Sequence, residues 1–192
     1  MYPALPNHLT WARIVAIPIF IGIFYLPDDW LGLQQKNLLS TLLFVGAAVT
    51  DLLDGYIARR YKLTTPFGAF LDPVADKLIV AAALILLVEL DRVGAVIAAI
   101  IIGREITISA LREWMAKVGA SRSVAVSMIG KVKTAAQMIA IPMLLYGAPL
   151  FGIDVQMFGT WLIYLAAVLT LWSMFYYLRR AKPAAAGPGQ DG

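Results

Sequence analysis

The chain has 192 residues, of which 60% are hydrophobic and 15% are charged, and its formal net charge at pH 7 is +4. Soluble domains contain about 45–50% apolar and about 25% charged residues, so the composition predicts an integral membrane protein. The absence of cysteine excludes disulfides and cysteine nucleophiles, and the single histidine, His8, leaves no second one for a histidine-based zinc or covalent site.

Long apolar stretches recur at the length of membrane-spanning helices, which is about 20 residues. They predict an all-α protein with six transmembrane helices, near residues 9–26, 38–60, 66–90, 93–116, 124–147 and 157–178. These helices use most of the chain, so we predict one six-helix transmembrane domain over residues 1–180. The last residues, 181–192, are small and rich in proline and glycine, which predicts a disordered cytoplasmic tail.

Lysine and arginine are distributed unequally between the two sides of the predicted membrane. The opposite side from the termini carries only Lys36 and Arg92, next to several acidic residues. The side of the termini carries Arg59, Arg60, Lys62, Lys117, Arg122, Arg179, Arg180 and Lys182. Basic loops stay in the cytoplasm, so we predict that both termini are cytoplasmic. This placement explains the positive charge without a nucleic-acid partner.

The third predicted helix has two possible starts. Thr65 as N-cap and Pro66 at the first helical position make a good start, and this start places Asp72 and Asp76 on one helix face. A start at Pro73 would instead use Asp72 as the N-cap. We favour the earlier start because it aims both acids at one place.

Two neighbouring helix ends would then bring four carboxylates together at the cytoplasmic side: Asp51, Asp54, Asp72 and Asp76. Charged groups are costly in a membrane and like charges repel, so these acids need cations. One explanation is ion pairing with Arg59, Arg60, Lys62 and Lys77. We favour two divalent cations, Mg²⁺ or Mn²⁺, because hard cations prefer oxygen ligands and a metal pair can clamp a phosphoryl group.

Two glycines are set among these acids. Gly55 follows Asp54, and Gly68 lies one turn before Asp72, so both would let a bulky ligand approach the backbone, although each could serve helix packing alone. Arg59 faces the same pocket and can bind phosphate oxygens in a forked geometry. The combination predicts a diphosphate ligand at a membrane surface.

The same residues follow the pattern D-x2-D-G-x2-A-R-x8-G-x3-D-x3-D, which here reads Asp51, Asp54, Gly55, Ala58, Arg59, Gly68, Asp72 and Asp76. This pattern resembles the signature of the CDP-alcohol phosphatidyltransferase family. Further segments are similar to bacterial members that join CDP-diacylglycerol to sn-glycerol 3-phosphate: "NHLTWARIVAIPIF", "FGAFLDPVADK", "REITISALREWMA" and "SVAVSMIGKVKTAAQM". The resemblance covers most of residues 7–178.

The resemblance implies a six-helix fold, usually homodimeric, in the bacterial inner membrane, with an active site open to the cytoplasm and to lipid. It implies that the four aspartates hold the metals and that Asp76 is also the general base. Contacts with CDP-diacylglycerol are implied for Gly55, Arg59 and Thr65, with room given by Ala58 and Gly68. We assign Asn7, Thr10 and Arg13 to the same ligand, although they could instead cap and anchor the first helix.

A phosphorylated acceptor needs cations of its own. The candidates are Arg104 and Arg112, eight residues apart on one face of the fourth helix, and Lys131 and Lys133 on the fifth. The two lysines point about 200° apart on an ideal helix, so we expect one of them to point fully inward. Ion pairing with Glu105 or Glu113 is the alternative for any of these cations.

The predicted reaction is direct attack of the acceptor hydroxyl on the β-phosphorus, with CMP as the leaving group, since a covalent intermediate through cysteine or histidine is disfavoured. The motif leaves inositol phosphate, serine and phosphatidylglycerol open as acceptors, while the added basic residues favour a phosphorylated one. A divalent-cation transporter is a different class of function. It is disfavoured because we find no internal repeat and the acids gather at one membrane face.

Overall fold

A computed structural model describes residues 5–61, 66–117 and 128–185. Within these ranges the chain forms six long α-helices and one short 3₁₀-helix, Ile23–Tyr25. The α-helices are α1 (Leu5–Gly22), α2 (Leu33–Tyr61), α3 (Pro66–Glu89), α4 (Ala95–Lys117), α5 (Met128–Tyr146) and α6 (Val155–Ala185). The all-α prediction is confirmed for the described residues, and each predicted apolar span corresponds to one helix. The start of the fifth span, 124–127, lies outside them.

The third helix runs without a break from Pro66 to Glu89, with Pro73 inside it. The earlier of the two predicted starts is therefore correct. Proline is well tolerated in the first turn of a helix, because its missing N–H would have no partner there. Asp72 and Asp76 consequently lie one turn apart on α3, while the predicted N-cap, Thr65, is outside the described residues.

The last helix extends past the boundary that the sequence predicts for the domain. It reaches Ala185, so residues 181–185, predicted as the start of the disordered tail, are helical. Alanine and lysine rank high in helix propensity and can extend an existing helix. Residues 186–192 are outside the described ranges, and the division into a catalytic domain and a tail stays a prediction.

The core of the bundle lies where α3 and α5 meet their neighbours. Its largest fully buried apolar side chains include Phe20, Phe44, Leu84, Leu87, Ile141 and Leu144. At Gly159 on α6, an added Cβ would lie 2.9 Å from Leu144 Cγ and 3.1 Å from Met143 Cβ, so the two helices pack too closely there for a larger residue.

The outer faces of the helices carry many large apolar side chains, such as Trp161, Val168 and Trp172 on α6. Exposed apolar surface of this extent is typical of a protein that contacts lipid. Within the described residues, two segments are long and apolar enough to cross a membrane by length and composition, Leu33–Leu53 and Val155–Tyr176. The count of six spans and the orientation of the termini stay predictions.

The end of the bundle opposite the predicted site is held together by a half-buried cation. Arg92, between α3 and α4, donates hydrogen bonds to the carbonyl oxygens of Leu144 (3.0 Å) and Leu145 (2.7 Å) and to Asn37 Oδ1 (3.0 Å). Burial lowers the pKa of the Arg92 guanidinium. The last carbonyls of α5 therefore find donors, as the end of a helix requires.

Candidate active site

Three helices bring one arginine and three aspartates together. Arg13 on α1 is buried, with 3% of its side chain exposed. Its Nη1 donates hydrogen bonds to Asp51 Oδ1 on α2, at 2.5 Å, and to Asp76 Oδ1 on α3. Its Nη2 lies 3.4 Å from Asp72 Oδ1. Carboxylates from two helices thus converge on a guanidinium supplied by a third.

The role of Arg13 in this cluster was missed by the sequence reasoning, which assigned the residue to CDP-diacylglycerol or to anchoring of the first helix. A signal was present, because Arg13 is the single charge in the apolar segment "NHLTWARIVAIPIF". A charge inside such a helix requires a partner, and acids on a neighbouring helix are the natural one. The side chains of Asn7 and Thr10, on the same helix, are outside the described set.

Of the four predicted ion-pair partners of the acids, Lys77 has a described side chain, and it forms no ion pair with them among the described residues. Arg13, which was not predicted as their partner, contacts Asp51, Asp72 and Asp76. The side chains of Arg59 and Arg60, and Lys62 as a whole, lie outside the described residues. The acids are therefore neutralised from α1, at least in part.

The carboxylates offer the oxygen ligands that suit a hard divalent cation by their chemistry. The side chain of Asp54 is not described, and among the side chains that are, no group of three or more acids or histidines is arranged to hold a metal ion as it stands. The oxygens of Asp51, Asp72 and Asp76 all point to one position, where a positive group lies. Oxygen ligands converging in this way are what Mg²⁺ and Mn²⁺ prefer.

A cavity of about 420 Å³ opens beside these acids, and we call it the chamber. Ligand pockets in proteins commonly enclose about 300–1,000 Å³. The chamber is bounded by four helices and lined by Ala48, Asp51, Leu52, Pro73, Asp76, Lys77, Val80, Glu105, Thr134, Gln137 and Met138. Its walls are mainly apolar, and it brings two of the predicted metal acids into one space with Glu105 of α4.

Two buried cations contact Glu105, which lines the chamber. Lys133 on α5 is 1% exposed, and its Nζ donates a hydrogen bond to Glu105 Oε1. Arg104 is 7% exposed; its Nη1 lies 3.3 Å from the same oxygen, and its Nη2 donates to Ser173 Oγ on α6 at 3.1 Å. Two buried cations thus share one oxygen of a carboxylate that lines the chamber.

The predicted acceptor-phosphate residues differ from one another in burial, where their side chains are described. Lys133 points inward, while the side chain of Lys131 is outside the described set. Arg104 is buried, whereas Arg112 is exposed but lies within electrostatic range of Lys133. Glu113 pairs with Lys117 at 2.9 Å, so Glu105 is the acid that contacts the buried cations. Ser173 was missed, and a serine within an apolar helix gives only a weak signal.

The residues predicted to contact CDP-diacylglycerol are described only in part. Gly55, Ala58 and Arg59 lie on α2 beyond Asp51, but their side chains are not described. Thr65 lies outside the described residues. Gly68 is buried on α3, one turn before Asp72. Their contacts with the ligand stay predictions.

The family resemblance is confirmed by comparison with known proteins. The family model CDP-alcohol phosphatidyltransferase matches residues 3–172. A CDP-diacylglycerol–glycerol-3-phosphate 3-phosphatidyltransferase from Pectobacterium atrosepticum is 53% identical over 180 residues, which are 93% of this chain and 94% of that protein. Proteins of the same name from Sodalis glossinidius and Salmonella typhimurium are 53% and 51% identical, with the same shares covered.

Proposed function

The chain belongs to the CDP-alcohol phosphatidyltransferase family, and we propose that it transfers the phosphatidyl group from CDP-diacylglycerol to sn-glycerol 3-phosphate. The products would be phosphatidylglycerophosphate and CMP. Relatives that are 51–53% identical over 93% of the chain carry this activity in their names. The observation that carries the proposal is the chamber itself, which is lined by Asp51 and Asp76 and also by Glu105, the partner of two buried cations.

We propose that all six helices span the bacterial cytoplasmic membrane, with the basic ends and the active site on the cytoplasmic side. The helices contain 18 to 31 residues, and a span needs about 20. The exposed apolar side chains on their outer faces would then contact lipid. We also propose a homodimer, because the family that the sequence resembles is usually homodimeric.

The four aspartates are the proposed ligands of Mg²⁺ or Mn²⁺, with two ions per site. Bound divalent cations would neutralise the charge that develops on the diphosphate. Around them, Arg59 would bind diphosphate oxygens through its forked donors, while Gly55 and Gly68 would give the nucleotide room. Arg13 holds the carboxylates from α2 and α3 in one place, which keeps them directed at the reacting phosphate.

The transfer step is proposed as a direct displacement. Asp76 takes the proton from the acceptor hydroxyl, whose oxygen then forms a bond to the β-phosphorus of CDP-diacylglycerol. The bond between that phosphorus and the bridging oxygen breaks, and its electron pair leaves with CMP. This role for Asp76 is supported by its position, because it lines the chamber and belongs to the acid cluster.

The acceptor's phosphate is proposed to bind near Lys133 and Arg104. Both cations are buried against Glu105, which lines the chamber, so an incoming phosphate could pair with them. An acceptor without a phosphate, such as serine, would make no such pair. A cation transporter is disfavoured because the sequence contains no internal repeat and the acids gather at one predicted membrane face.

The proposal is tested with purified protein, CDP-diacylglycerol and Mg²⁺ or Mn²⁺, by measuring CMP. Glycerol 3-phosphate, serine and inositol phosphate are supplied in turn, and a reaction with EDTA serves as the control. We expect CMP with glycerol 3-phosphate and none with EDTA. Absence of CMP with every acceptor would contradict the proposed enzymatic activity, and CMP release only with serine or inositol phosphate would change the proposed acceptor.

A further inference from the structure

Glu105 uses one of its two carboxylate oxygens for two cations. Its Oε1 accepts from Lys133 Nζ and from Arg104 Nη1. Among the residues that the structure describes, Oε2 has no hydrogen-bond or ion-pair partner. The side chain is 25% exposed, and Glu105 lines the chamber together with Asp51 and Asp76. A strong hydrogen-bond acceptor is therefore available in the space where the substrates are proposed to meet.

We propose that Glu105 selects the acceptor by accepting a hydrogen bond, through Oε2, from a second hydroxyl group that does not react. The inference rests on the proposed function and assigns the residue that would make the enzyme prefer small polyol monophosphates, the class to which glycerol 3-phosphate belongs. Such an acceptor has its phosphate near Lys133 and Arg104 and its reacting hydroxyl near Asp76. The carbon between these groups passes Glu105, and a hydroxyl on that carbon can donate to Oε2.

The energetics favour selection against acceptors that lack this hydroxyl. A carboxylate oxygen that loses water on substrate binding and gains no donor is left unsatisfied. A nearby phosphate would also repel it, and a donated hydrogen bond offsets part of that repulsion. Sites that hydrogen-bond a substrate hydroxyl reject analogues without it much more strongly than apolar pockets reject a missing methylene.

A purely structural role for Glu105 predicts something different. If the carboxylate served only to neutralise Lys133 and Arg104, its removal would affect all phosphorylated acceptors by the same factor. If it binds the second hydroxyl, its removal affects an acceptor with that hydroxyl more than one without it. The ratio between two matched acceptors therefore separates the two roles.

The test compares glycerol 3-phosphate with 3-hydroxypropyl phosphate, which has the same length but lacks the central hydroxyl. The measured quantity is kcat/KM for each acceptor at saturating CDP-diacylglycerol, for the wild type, Glu105→Gln and Glu105→Ala. The control is Glu113→Gln on the same helix, where the acid is exposed and pairs with Lys117. We expect the wild type and the control to favour glycerol 3-phosphate by roughly 10- to 100-fold, the range for a hydrogen bond to a charged group.

In Glu105→Ala the preference should fall to about threefold or less, and in Glu105→Gln to an intermediate value, because the amide offers a donor where Oε2 was an acceptor. A wild type without preference, or variants with an unchanged ratio, would overturn the inference. If the alanine variant does not fold, the ratio in Glu105→Gln decides alone. Absence of CMP with both acceptors would overturn the proposed function, whereas an unchanged ratio in an active enzyme overturns only the role of Glu105.

Discussion

Arg13 donates a hydrogen bond from Nη1 to Oδ1 of Asp76, which joins the first helix to the third beside the chamber. The same nitrogen donates to Asp51 at 2.5 Å, so α1, α2 and α3 meet at one guanidinium. Removing one member of a buried ion pair leaves charges without compensation and costs about 3–5 kcal/mol. The arrangement therefore affects both the stability of the bundle and the direction of the acids.

Arg13→Ala should lower stability by about 2 kcal/mol, because the arginine is buried but its carboxylate partners are partly exposed, and it should reduce CMP release to background. Arg13→Lys should be intermediate, because one ammonium group keeps the charge but lacks the fork of donors. Thermal unfolding in detergent and CMP release are the measurements. The control is Arg179→Ala, since Arg179 is exposed and stacks over the Phe175 ring at 4.3 Å. Wild-type stability in Arg13→Ala would show that the cluster does not need this cation.

Asp76→Asn should reduce turnover while CDP binding stays largely intact. The amide oxygen can still accept from Arg13, but it cannot take a proton from the acceptor, and a lost general base costs roughly 10²- to 10⁴-fold in rate. The matched control is Asp154→Asn, at the start of α6, where asparagine is also a good N-cap and the present aspartate accepts from Met157 N at 3.0 Å. Turnover at the wild-type rate in Asp76→Asn would rule Asp76 out as the base.

Lys133→Met should raise the KM for glycerol 3-phosphate by roughly 10- to 100-fold, the range for a lost charged hydrogen bond. The KM for CDP-diacylglycerol should change much less, because Lys133 belongs to the trio with Glu105 and Arg104. Arg112→Ala should act in the same direction but more weakly, since Arg112 is exposed. Steady-state kinetics with each substrate varied in turn give both values, and equal changes in the two KM values would exclude an acceptor-specific role.

Ser173→Ala tests whether α6 positions Arg104. The serine hydroxyl accepts from Arg104 Nη2 at 3.1 Å and donates to the Thr170 carbonyl at 3.0 Å. A hydrogen bond to a charged group contributes about 1.5–3 kcal/mol, and the serine acts on the acceptor only through Arg104, so we expect a roughly 10-fold rise in the KM for the acceptor. Ser173→Thr, which keeps the hydroxyl, should restore most of the affinity. If the serine has only a structural role, Ser173→Ala should lower thermal stability without changing the ratio of the KM values for the acceptor and CDP-diacylglycerol.

The sequence predicted the helices well because each one is a long apolar run between clear turns. It also predicted the start of α3 at Pro66, where the local chemistry of proline decides the outcome. The partners of the charged residues were harder. Arg13 lies 38 residues before Asp51 and 63 before Asp76, and no local pattern connects residues so far apart.

The orientation of single side chains was likewise beyond the sequence. Helical periodicity showed that Lys131 and Lys133 point in different directions, but the burial of Lys133 depends on the position of α4, which supplies its partner Glu105. Arg104 and Arg112 likewise share a helix yet differ in burial, and Arg104 lies against Ser173 of α6. Packing between helices decides which charged side chains are buried, and this packing cannot be inferred from the pattern of a single sequence.

The end of the bundle opposite the candidate active site allows a change in stability to be tested without a change in the active site. Gly147 follows α5 with φ of +61°, a left-handed conformation that costs a residue with a side chain about 1–2 kcal/mol. A Cβ there would also lie 2.7 Å from Arg92 Cζ and displace the guanidinium that binds the carbonyls of Leu144 and Leu145.

Gly147→Ala should therefore lower the unfolding temperature, by an amount that corresponds to about 2 kcal/mol or more, since the backbone cost adds to the lost hydrogen bonds. The KM values for both substrates should stay at wild-type levels, because Gly147 lies at the opposite end of α5 from Lys133. The control is Gly94→Ala, where an added Cβ meets no atom within 4 Å. Equal unfolding temperatures for the two variants would mean that the contact between Arg92 and the end of α5 contributes little to the fold.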